Sequence, residues 1–350
     1  MDVNETRIGH TGMPNTNTDP SNPDEPSEAA SGSNLCVFAP WPLITVAIEA
    51  SPEDGSDDIV VRAGGQGVWV ARMAASLGAR VILVGPFGGK IGRAAAVMLR
   101  DEGIAVRSVD VAGSNGAYIH DRRGGERAQI AEMRPARLDR HEVDDLLDAL
   151  LTEGMRCGTV ALTGLRDGEV FDPALYGTVV RDLAANGVEI IADVAGAPLK
   201  AIDQGIGVLK ISHEEMVADG YATDGSWSAI AAGMDRLVDR ARDIVVSCAA
   251  RGTLARFDGK FWLATPPNVT PRDHTGAGDS MTGGLAVART QGLSVSDALR
   301  LATAAGALNV TRRGRGTGAA MDVDVFRDHV EVREVDPADL DLEDKRSAQQ

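Results

Sequence analysis

A glycine-rich turn late in the chain combines residue types that suit an anion-binding catalytic site. Residues 273–280 read D-H-T-G-A-G-D-S and run into a stretch of small and apolar residues typical of a buried helix. Gly276 and Gly278 allow a tight turn, and the N-terminus of the following helix offers unpaired N–H groups and a positive dipole end to an anion. Asp279, in the first helical turn, is placed to face whatever binds there. A capped turn in which Asp279 only complements the helix dipole is the simpler alternative.

A second glycine-rich loop, residues 64–67 (G-G-Q-G), opens a predicted helix whose apolar positions recur at helical spacing. Its glycines allow a ligand to approach the backbone closely, and a flexible turn with a helix cap is the alternative. The loop does not follow the dinucleotide G-x-G-x-x-G pattern. Residues 85–91 (G-P-F-G-G-K-I) resemble a P-loop only superficially, because the leading glycine is out of position and no Ser or Thr follows Lys90.

Together the two loops resemble the PfkB, or ribokinase-like, family of carbohydrate kinases. The early G-G-x-G-V-x-V-A and the late D-x-T-G-A-G-D-S-M-x-G-G-L elements occur in the family's order, and the resemblance spans residues 35–334. The early loop is most similar to the 1-phosphofructokinase and tagatose-6-phosphate kinase branch. The resemblance implies an ATP- and Mg²⁺-dependent transfer of a phosphoryl group to a small sugar-like substrate, and it allows for a monovalent cation (K⁺).

The resemblance assigns the chemistry to the late turn. Asp279 would be the base that takes the proton from the attacking hydroxyl, and Gly276, Ala277 and Gly278 would form an anion hole for the transferring phosphoryl group. Phosphoryl transfer depends on positioning and charge neutralisation more than on covalent chemistry, so this pairing is physically reasonable.

The resemblance also assigns nucleotide, metal and substrate contacts. Lys210 would approach the ATP phosphates and Glu215 would hold Mg²⁺ through water, although Ser212 replaces the family's Asn. A solvated helix start would explain Lys210 and Glu215 as well, and a basic helix C-terminus would explain the segment 309–316. The remaining implied positions are Ser247, Asn309 and Gly314 for the nucleotide, and Gly64, Gly65, Gln66, Trp69 and Asp273 for the substrate.

The sugar-binding half departs from the family pattern. That branch carries N-P-A-x-D in its first strand, whereas this chain reads A-P-W-P-L over residues 39–43, and Leu43 cannot bind hydroxyls as Asp does. Gln66 replaces a lysine, Trp69 replaces an asparagine, and Asn115 stands where an arginine is expected. We therefore predict that fructose 1-phosphate and fructose 6-phosphate are poor substrates and that a less charged or partly apolar alcohol is preferred. Packing of Trp69 into the core is the alternative.

The composition predicts a soluble cytoplasmic protein. A formal net charge of -16 argues against nucleic acid or an anionic membrane as the main partner. The chain has no apolar run near the ~20 residues of a membrane span and no secretory signal. Cys36, Cys157 and Cys248 are far apart and odd in number, which is neither a disulfide framework nor a zinc pattern and suits a reducing compartment.

Alternating strand-like and helix-like segments, among them a strand over residues 159–163 and a helix over residues 227–242, predict a three-layer α/β/α domain with a mainly parallel central sheet. Apolar residues also recur at helical spacing over 143–151, and Asp139 and Glu142 are predicted to cap the start of that helix. Two stretches, 45–65 and 117–133, break the rhythm and predict a small antiparallel sheet that acts as a lid, through which the chain could form a homodimer. Residues 1–34 and the acidic stretch 335–350 are predicted to be tails, with residues 1–34 and the last dozen or so disordered.

Two other functions remain open from the sequence. One keeps the enzyme class but exchanges the sugar for a nucleoside or another polyol. The other is a non-catalytic protein that senses nucleotide or sugar, which the altered sugar-binding half favours more than the intact phosphate-binding half does. Release of ADP on a panel of sugars, sugar phosphates and nucleosides discriminates between these functions.

Overall fold

The first strand shows why the central sheet is covered on both faces. In β1 (Asn34–Phe38), Leu35 and Val37 belong to one apolar cluster, and Cys36 and Phe38 belong to a second. Successive side chains on a strand point to opposite faces, so a strand that is apolar at every internal position needs cover on both sides.

The computed structural model describes residues 34–51, 53–124, 127–165, 170–312, 316 and 318–347. The N-terminal tail predicted from the sequence lies outside the described residues, except for Asn34, which begins β1. The other strands are β2 (Leu43–Ala50), β3 (Asp57–Gly64), β4 (Arg80–Gly88), β5 (Ala105–Val111), β6 (Gly116–Asp121), β7 (Ala128–Met133), β8 (Thr159–Thr163), β9 (Glu189–Asp193), β10 (Ile206–Ser212), β11 (Ala241–Ser247), β12 (Thr253–Phe257), β13 (Lys260–Thr265) and β14 (Glu331–Val335).

The helices alternate with these strands over most of the chain. They are α1 (Gln66–Ser76), α2 (Gly89–Asp101), α3 (Arg140–Cys157), α4 (Leu175–Ala185), α5 (Gly196–Ala201), α6 (His213–Ala218), α7 (Trp227–Met234), α8 (Ala277–Thr290), α9 (Val295–Val310), α10 (Ala320–Arg327) and α11 (Leu340–Ser347). None of the helices in the described part of the chain is long and apolar enough to cross a membrane.

The central sheet has ten strands in the order β14-β13-β12-β11-β10-β9-β8-β1-β4-β5. The strands from β11 to β5 pair in parallel, and β12, β13 and β14 add an antiparallel edge. Residues from α3, α4 and α7 pack on one face, and residues from α1, α2, α8 and α9 pack on the other. The predicted three-layer α/β/α architecture is therefore confirmed.

The predicted small sheet is also present, with strand order β3-β2-β6-β7, and we call it the lid sheet. Strands β2 and β3 are antiparallel, as are β6 and β7, whereas β2 and β6 pair in parallel. The central pair is parallel because the chain leaves β3 through α1, β4, α2 and β5 before it returns in β6, which is a crossover connection.

Helix α7 is shorter than the sequence predicted. The apolar pattern indicated a helix over 227–242, but α7 ends at Met234 and β11 begins at Ala241. Between them the Leu237 N–H donates to the Met234 carbonyl at 2.9 Å, and the Arg240 N–H donates to the Leu237 carbonyl at 3.0 Å. Leu237 stays buried in these tight turns, so its apolar spacing did not distinguish turns from helix.

The C-terminal stretch is also corrected, because residues 340–347 form helix α11 and are not a disordered tail. Leu340 is buried, and the Asp344 carboxylate accepts a hydrogen bond from the Trp227 N–H at 2.9 Å. The folded domain therefore extends beyond the predicted end at residue 334. One buried leucine and a carboxylate contact give no periodic signal in an acidic segment, which is why the sequence did not reveal this helix.

Candidate active site

The late glycine turn forms the N-terminus of α8. Gly276 is the N-cap residue and has φ 86°, a left-handed conformation that favours glycine, and no side chain caps the helix. The first N–H groups of a helix lack intrahelical partners, so those of α8 are available to an anion. Asp279 lies in this first turn. The structure thus places the four predicted catalytic positions, 276 to 279, in one turn at a helix start.

Lys210 lies against this turn. A Cβ atom added to Gly278 would be 2.5 Å from the Lys210 Nζ atom, so a larger residue there would displace the ammonium group from this position. Burial alone would lower the pKa of Lys210, but the charges of Asp193, Glu215 and Asp279 outweigh burial and raise it. Lys210 is therefore a fixed positive charge beside Asp279.

Asp193, which the sequence analysis missed, holds Lys210 in place. Both carboxylate oxygens lie 3.3 Å from the Lys210 Nζ atom, and one accepts a hydrogen bond from the Thr282 hydroxyl at 2.6 Å. All three side chains are buried. Asp193 ends the apolar strand β9, and a carboxylate at the carboxyl end of a buried parallel strand was the signal that could have identified it.

The early glycine loop approaches the same end of the sheet. Gly65 is the N-cap of α1 with φ 109°, and a Cβ on Gly64 would be 2.9 Å from the Thr45 side chain. The Gln66 amide donates to the Asp193 carbonyl at 3.3 Å and accepts from the Gly164 N–H at 3.1 Å. Gln66 therefore bonds to the backbone at the ends of β8 and β9.

Trp69 lines a cleft between α1 and the inner face of the lid sheet. The residues that line this lid cleft are Thr45, Ala47, Glu49, Val60, Arg62, Ala63, Trp69, Arg72, His120 and Arg122. Trp69 is partly exposed and does not belong to either apolar core cluster, so the alternative that it packs into the core is wrong.

Two other predicted pocket positions do not line this cleft. Leu43 is buried in the protein interior. Asn115 is also buried: its amide donates to the Pro42 and Pro86 carbonyls and accepts from the Gly88 N–H. The sequence analysis interpreted both residues as changes that make the sugar pocket less polar. That interpretation is wrong, because neither side chain reaches the cleft.

The lid cleft is basic, which the sequence analysis also missed. Arg62 is exposed and has neither an ion pair nor a side-chain hydrogen bond within the part of the chain that the structure describes. Arg122 bridges from the lid sheet to Asp273 of the late glycine turn, residues 273–280, which we call the catalytic turn after its predicted role; the Arg122 Nη2 atom is 2.6 Å from a carboxylate oxygen. Burial would raise the pKa of Asp273, but hydrogen bonds from Thr275 and the charge of Arg122 lower it below its ordinary value.

The candidate metal residue, Glu215, lies at the start of α6. Its carboxylate accepts hydrogen bonds from the Ser212 N–H at 2.9 Å and from the Ser212 hydroxyl at 2.7 Å. The Glu215 N–H in turn donates to the Ser212 hydroxyl at 3.2 Å, which completes a capping box. The described residues contain no group of three or more His, Cys, Asp or Glu that could hold a metal ion. A single carboxylate, that of Glu215, suits a Mg²⁺ ion that would be bound mainly by nucleotide phosphates and water.

The remaining predicted nucleotide positions, Ser247, Asn309 and Gly314, differ in where they lie. Ser247 ends β11, directly beside Ser212 on β10. Asn309 is buried and bonds to backbone, donating to the Thr275 carbonyl and accepting from the Gly316 N–H, so it holds the catalytic turn. Gly314 lies outside the described residues.

The fold and this site define a ribokinase-like α/β kinase, with a helix-start anion site, an aspartate beside it and a lysine held against both. The chain belongs to the PfkB family: the family model described as pfkB family carbohydrate kinase matches residues 45–321. It is therefore an ATP-dependent phosphotransferase with an alcohol group of a carbohydrate as acceptor.

Individual relatives agree with this assignment. The chain is 28% identical over 292 residues to 1-phosphofructokinase of Haloferax volcanii, covering 80% of this chain and 90% of that protein. It is 28% identical over 273 residues to ATP-dependent 6-phosphofructokinase isozyme 2 of Mycobacterium tuberculosis, covering 75% and 78%. The crystal structure of phosphofructokinase-2 from Escherichia coli in complex with potassium has a TM-score of 0.76 at 21% identity, covering 85% of this chain and 99% of that one.

Proposed function

We propose that this kinase transfers the γ-phosphoryl group of ATP to a hydroxyl of a sugar that carries an anionic group, such as a sugar phosphate. The observation that carries the proposal is the joining of two sites. The lid-cleft residue Arg122 is bonded to Asp273, six positions before Asp279 in the catalytic turn, so a substrate in the basic cleft lies next to the proposed base.

The proposed chemistry uses one base and one anion site. Asp279 accepts the proton of the acceptor hydroxyl while its oxygen bonds to the γ-phosphorus, and the bond from that phosphorus to the oxygen bridging to ADP breaks. The N–H groups at residues 276–278 and the ammonium of Lys210 stabilise the negative charge on the transferring group. Mg²⁺ bound with ATP would neutralise phosphate charge, with Glu215 holding it through water.

The charge of the cleft supports an anionic acceptor. Arg62, His120 and Arg122 line it, beside one acid, Glu49. Arg122 is bridged to Asp273, so among the described residues Arg62 is the cleft guanidinium without an ion pair. Guanidinium groups bind phosphate through paired hydrogen bonds. Arg72, which also lines the cleft, is already paired with Glu102 at 2.6 Å. This proposal replaces our sequence-based preference for a less charged alcohol. The named activities of the two curated relatives, which are phosphofructokinases, point the same way.

We place the nucleotide at the opposite side of the catalytic turn, where Ser247 ends β11 and Lys210 lies two residues before the end of the neighbouring strand β10. A groove of about 580 Å³ lies between the segment 265–269 and helix α10, with Phe326 and His329 on its wall. The size and the aromatic side chain suit a nucleobase. The segment 265–269 continues into the catalytic turn, so a base in this groove is connected to phosphates at the start of α8.

A monovalent cation is the remaining part of the proposal. The Escherichia coli neighbour was solved in complex with potassium, and Asn309 joins the catalytic turn to residue 316 in this chain. Activity in KCl compared with equal ionic strength of choline chloride tests this part separately.

The decisive experiment measures ADP release with ATP and Mg²⁺ on matched neutral and phosphorylated acceptors. Fructose is compared with fructose 1-phosphate and with fructose 6-phosphate. Ribose, a nucleoside and glycerol serve as further neutral acceptors. One charge-assisted contact, to Arg62, predicts a kcat/KM about tenfold higher for the phosphorylated partner. A preference for a neutral acceptor would overturn the anionic-substrate proposal. ATP binding without turnover on any acceptor would favour the sensing alternative.

We also propose a homodimer through the lid sheet. Ile59 and Val61 alternate on edge strand β3 and are 64% and 45% exposed, and Met133 on the opposite edge strand is 42% exposed. The pairing registers place all three on the face opposite the cleft residues Thr45 and Arg62. An apolar patch at two sheet edges suits a second copy of the same sheet, which is equally apolar.

A further inference from the structure

The C-terminal helix α11 is attached to the protein through Asp344. Its two carboxylate oxygens accept hydrogen bonds from the Trp227 N–H at 3.0 and 2.9 Å, which caps the start of α7. The same carboxylate accepts a hydrogen bond from the Arg251 Nη2 atom at 3.0 Å. One side chain of α11 therefore connects two other parts of the chain.

Arg251 is fixed on three sides. In addition to its hydrogen bond to Asp344, the Arg251 guanidinium lies 4.2 Å from the ring centroid of the fully buried Trp227. It also donates a hydrogen bond to the Gly225 carbonyl. A planar guanidinium can stack on an aromatic ring while it forms hydrogen bonds in its own plane. Lysine cannot make this combination of contacts.

Arg251 belongs to the loop 248–252, which needs external support. Ala249 has φ 50°, a left-handed conformation that is unfavourable for any residue with a Cβ atom. Gly252 has φ 108°, and a Cβ there would be 2.3 Å from the Ala264 carbonyl. A strained loop of this kind keeps its shape only when its surroundings hold it.

Each end of the loop 248–252 borders the proposed nucleotide site. It follows Ser247, whose carbonyl lies 3.3 Å from the His213 Nδ1 atom at the start of α6. At its other end, Gly252 packs against Ala264 and Pro266, and Pro266 lines the groove proposed for the nucleobase. A shift of the loop would therefore move both walls of the nucleotide site.

We propose that Asp344 is a positioning residue for ATP: through Arg251, helix α11 holds the loop 248–252 in the conformation that binds the nucleotide. This inference rests on the proposed placement of ATP, and it gives the acidic C-terminal segment a specific function. Loss of the contact should weaken ATP binding and leave the acceptor site, on the other side of the catalytic turn, unchanged.

The test compares Asp344→Asn with Asp341→Asn, an exposed acid on the same helix. Titration calorimetry with ATP and steady-state kinetics are measured for both variants. We expect about a tenfold rise in the ATP dissociation constant and in the KM for ATP for Asp344→Asn, with the KM for the acceptor within about twofold. Asp341→Asn should match the wild type in all three quantities.

A second variant separates positioning from folding. Arg251→Lys leaves the Asp344 contact with Trp227 available, so α11 can stay docked while the loop loses its stacked guanidinium; ATP binding should weaken as in Asp344→Asn. A lower melting temperature with unchanged ATP affinity in both variants, or equal changes in both KM values, would overturn the inference. If the wild-type protein binds no ATP, the proposed function fails together with this inference. If the wild type binds ATP and both variants bind it equally well, only the positioning role of Asp344 and Arg251 is overturned.

Discussion

At the scale of single residues, the buried pair of Asp193 and Lys210 is the centre of the site. Their side chains are only 4% and 6% exposed, so each charge depends on the other for compensation. Thr282 bonds to Asp193 from α8, which ties the pair to the helix that carries Asp279. The pair therefore sets the position of the lysine relative to the anion site as well as its charge.

Asp193→Asn should destabilise the protein and slow phosphoryl transfer, because it leaves the Lys210 ammonium buried without its carboxylate. Removing one partner of a buried ion pair costs about 3–5 kcal/mol, which urea unfolding monitored by circular dichroism would measure. Asp203→Asn, at an exposed acid between α5 and β10, is the matched control and should change little. An Asp193→Asn variant as stable as this control would contradict the role given to the pair.

Asp279→Asn should abolish transfer while it leaves the fold and ATP binding largely intact. The amide preserves the shape of the first turn of α8 but cannot accept the proton from the hydroxyl. Loss of a positioned base costs about 10²–10⁴-fold in kcat, measured by ADP release at saturating substrates. A variant that keeps more than about a tenth of wild-type turnover would show that another group is the base.

At the scale of elements, the lid sheet is attached to the catalytic turn by the bridge between Arg122 and Asp273. Both side chains are largely buried, at 16% and 14% exposure. The hydrogen bonds from Thr275, together with the bridge to Arg122, lower the pKa of Asp273 in the folded protein. These contacts therefore contribute stability above the ordinary carboxyl pKa of 3.8, and that stability is lost as the pH falls through the lower folded value. The lid therefore remains attached over the neutral and mildly acidic range.

Arg122→Gln should open this connection and raise the KM for the acceptor about tenfold, with a smaller effect on the KM for ATP. Arg123→Gln is the matched control, since Arg123 is 45% exposed and forms ion pairs with Asp57 and Asp121 within the lid sheet itself. Surface pairs of that kind contribute little, so its kinetics should equal those of the wild type. Equal effects of the two substitutions would show that the bridge has no specific role.

At the scale of the whole molecule, the fold separates two surfaces of the lid sheet. One face closes the basic cleft, and the opposite face exposes Ile59 and Val61. A single sheet thus can serve the acceptor site and subunit association together, which would couple the oligomeric state to substrate binding.

Ile59→Asp should convert a lid-mediated dimer to a monomer, because a charge would be desolvated within the apolar patch. Light scattering after size exclusion measures the mass. Met321→Asp, at a residue on α10 that is 77% exposed and far from the lid in sequence, should leave the mass unchanged. A wild-type protein that is monomeric at micromolar concentration would refute the proposed dimer.

The sequence by itself determined the layered fold and the glycine turn at the start of α8. Both follow from local rules: apolar strands such as β8 were predicted with their correct bounds, Asp139 and Glu142 form the predicted capping box of α3, and Gly276 has the left-handed conformation that the turn requires. Gly278, which was predicted to serve the same turn, lies inside α8, where its lack of a side chain leaves room for Lys210 instead. Periodicity and glycine conformations are properties of short segments, so they are readable without the tertiary structure.

Only the tertiary structure decided the character of the two substrate sites. Arg62 lies on β3 and Arg122 directly follows β6, and the two line one cleft only through the register of the lid sheet. Asp193 meets Lys210 only because β9 and β10 are neighbours. Asp344 reaches Arg251 across 93 residues of chain. Such contacts depend on which strands pair and which helices dock, and a single sequence carries no local signal for long-range pairing.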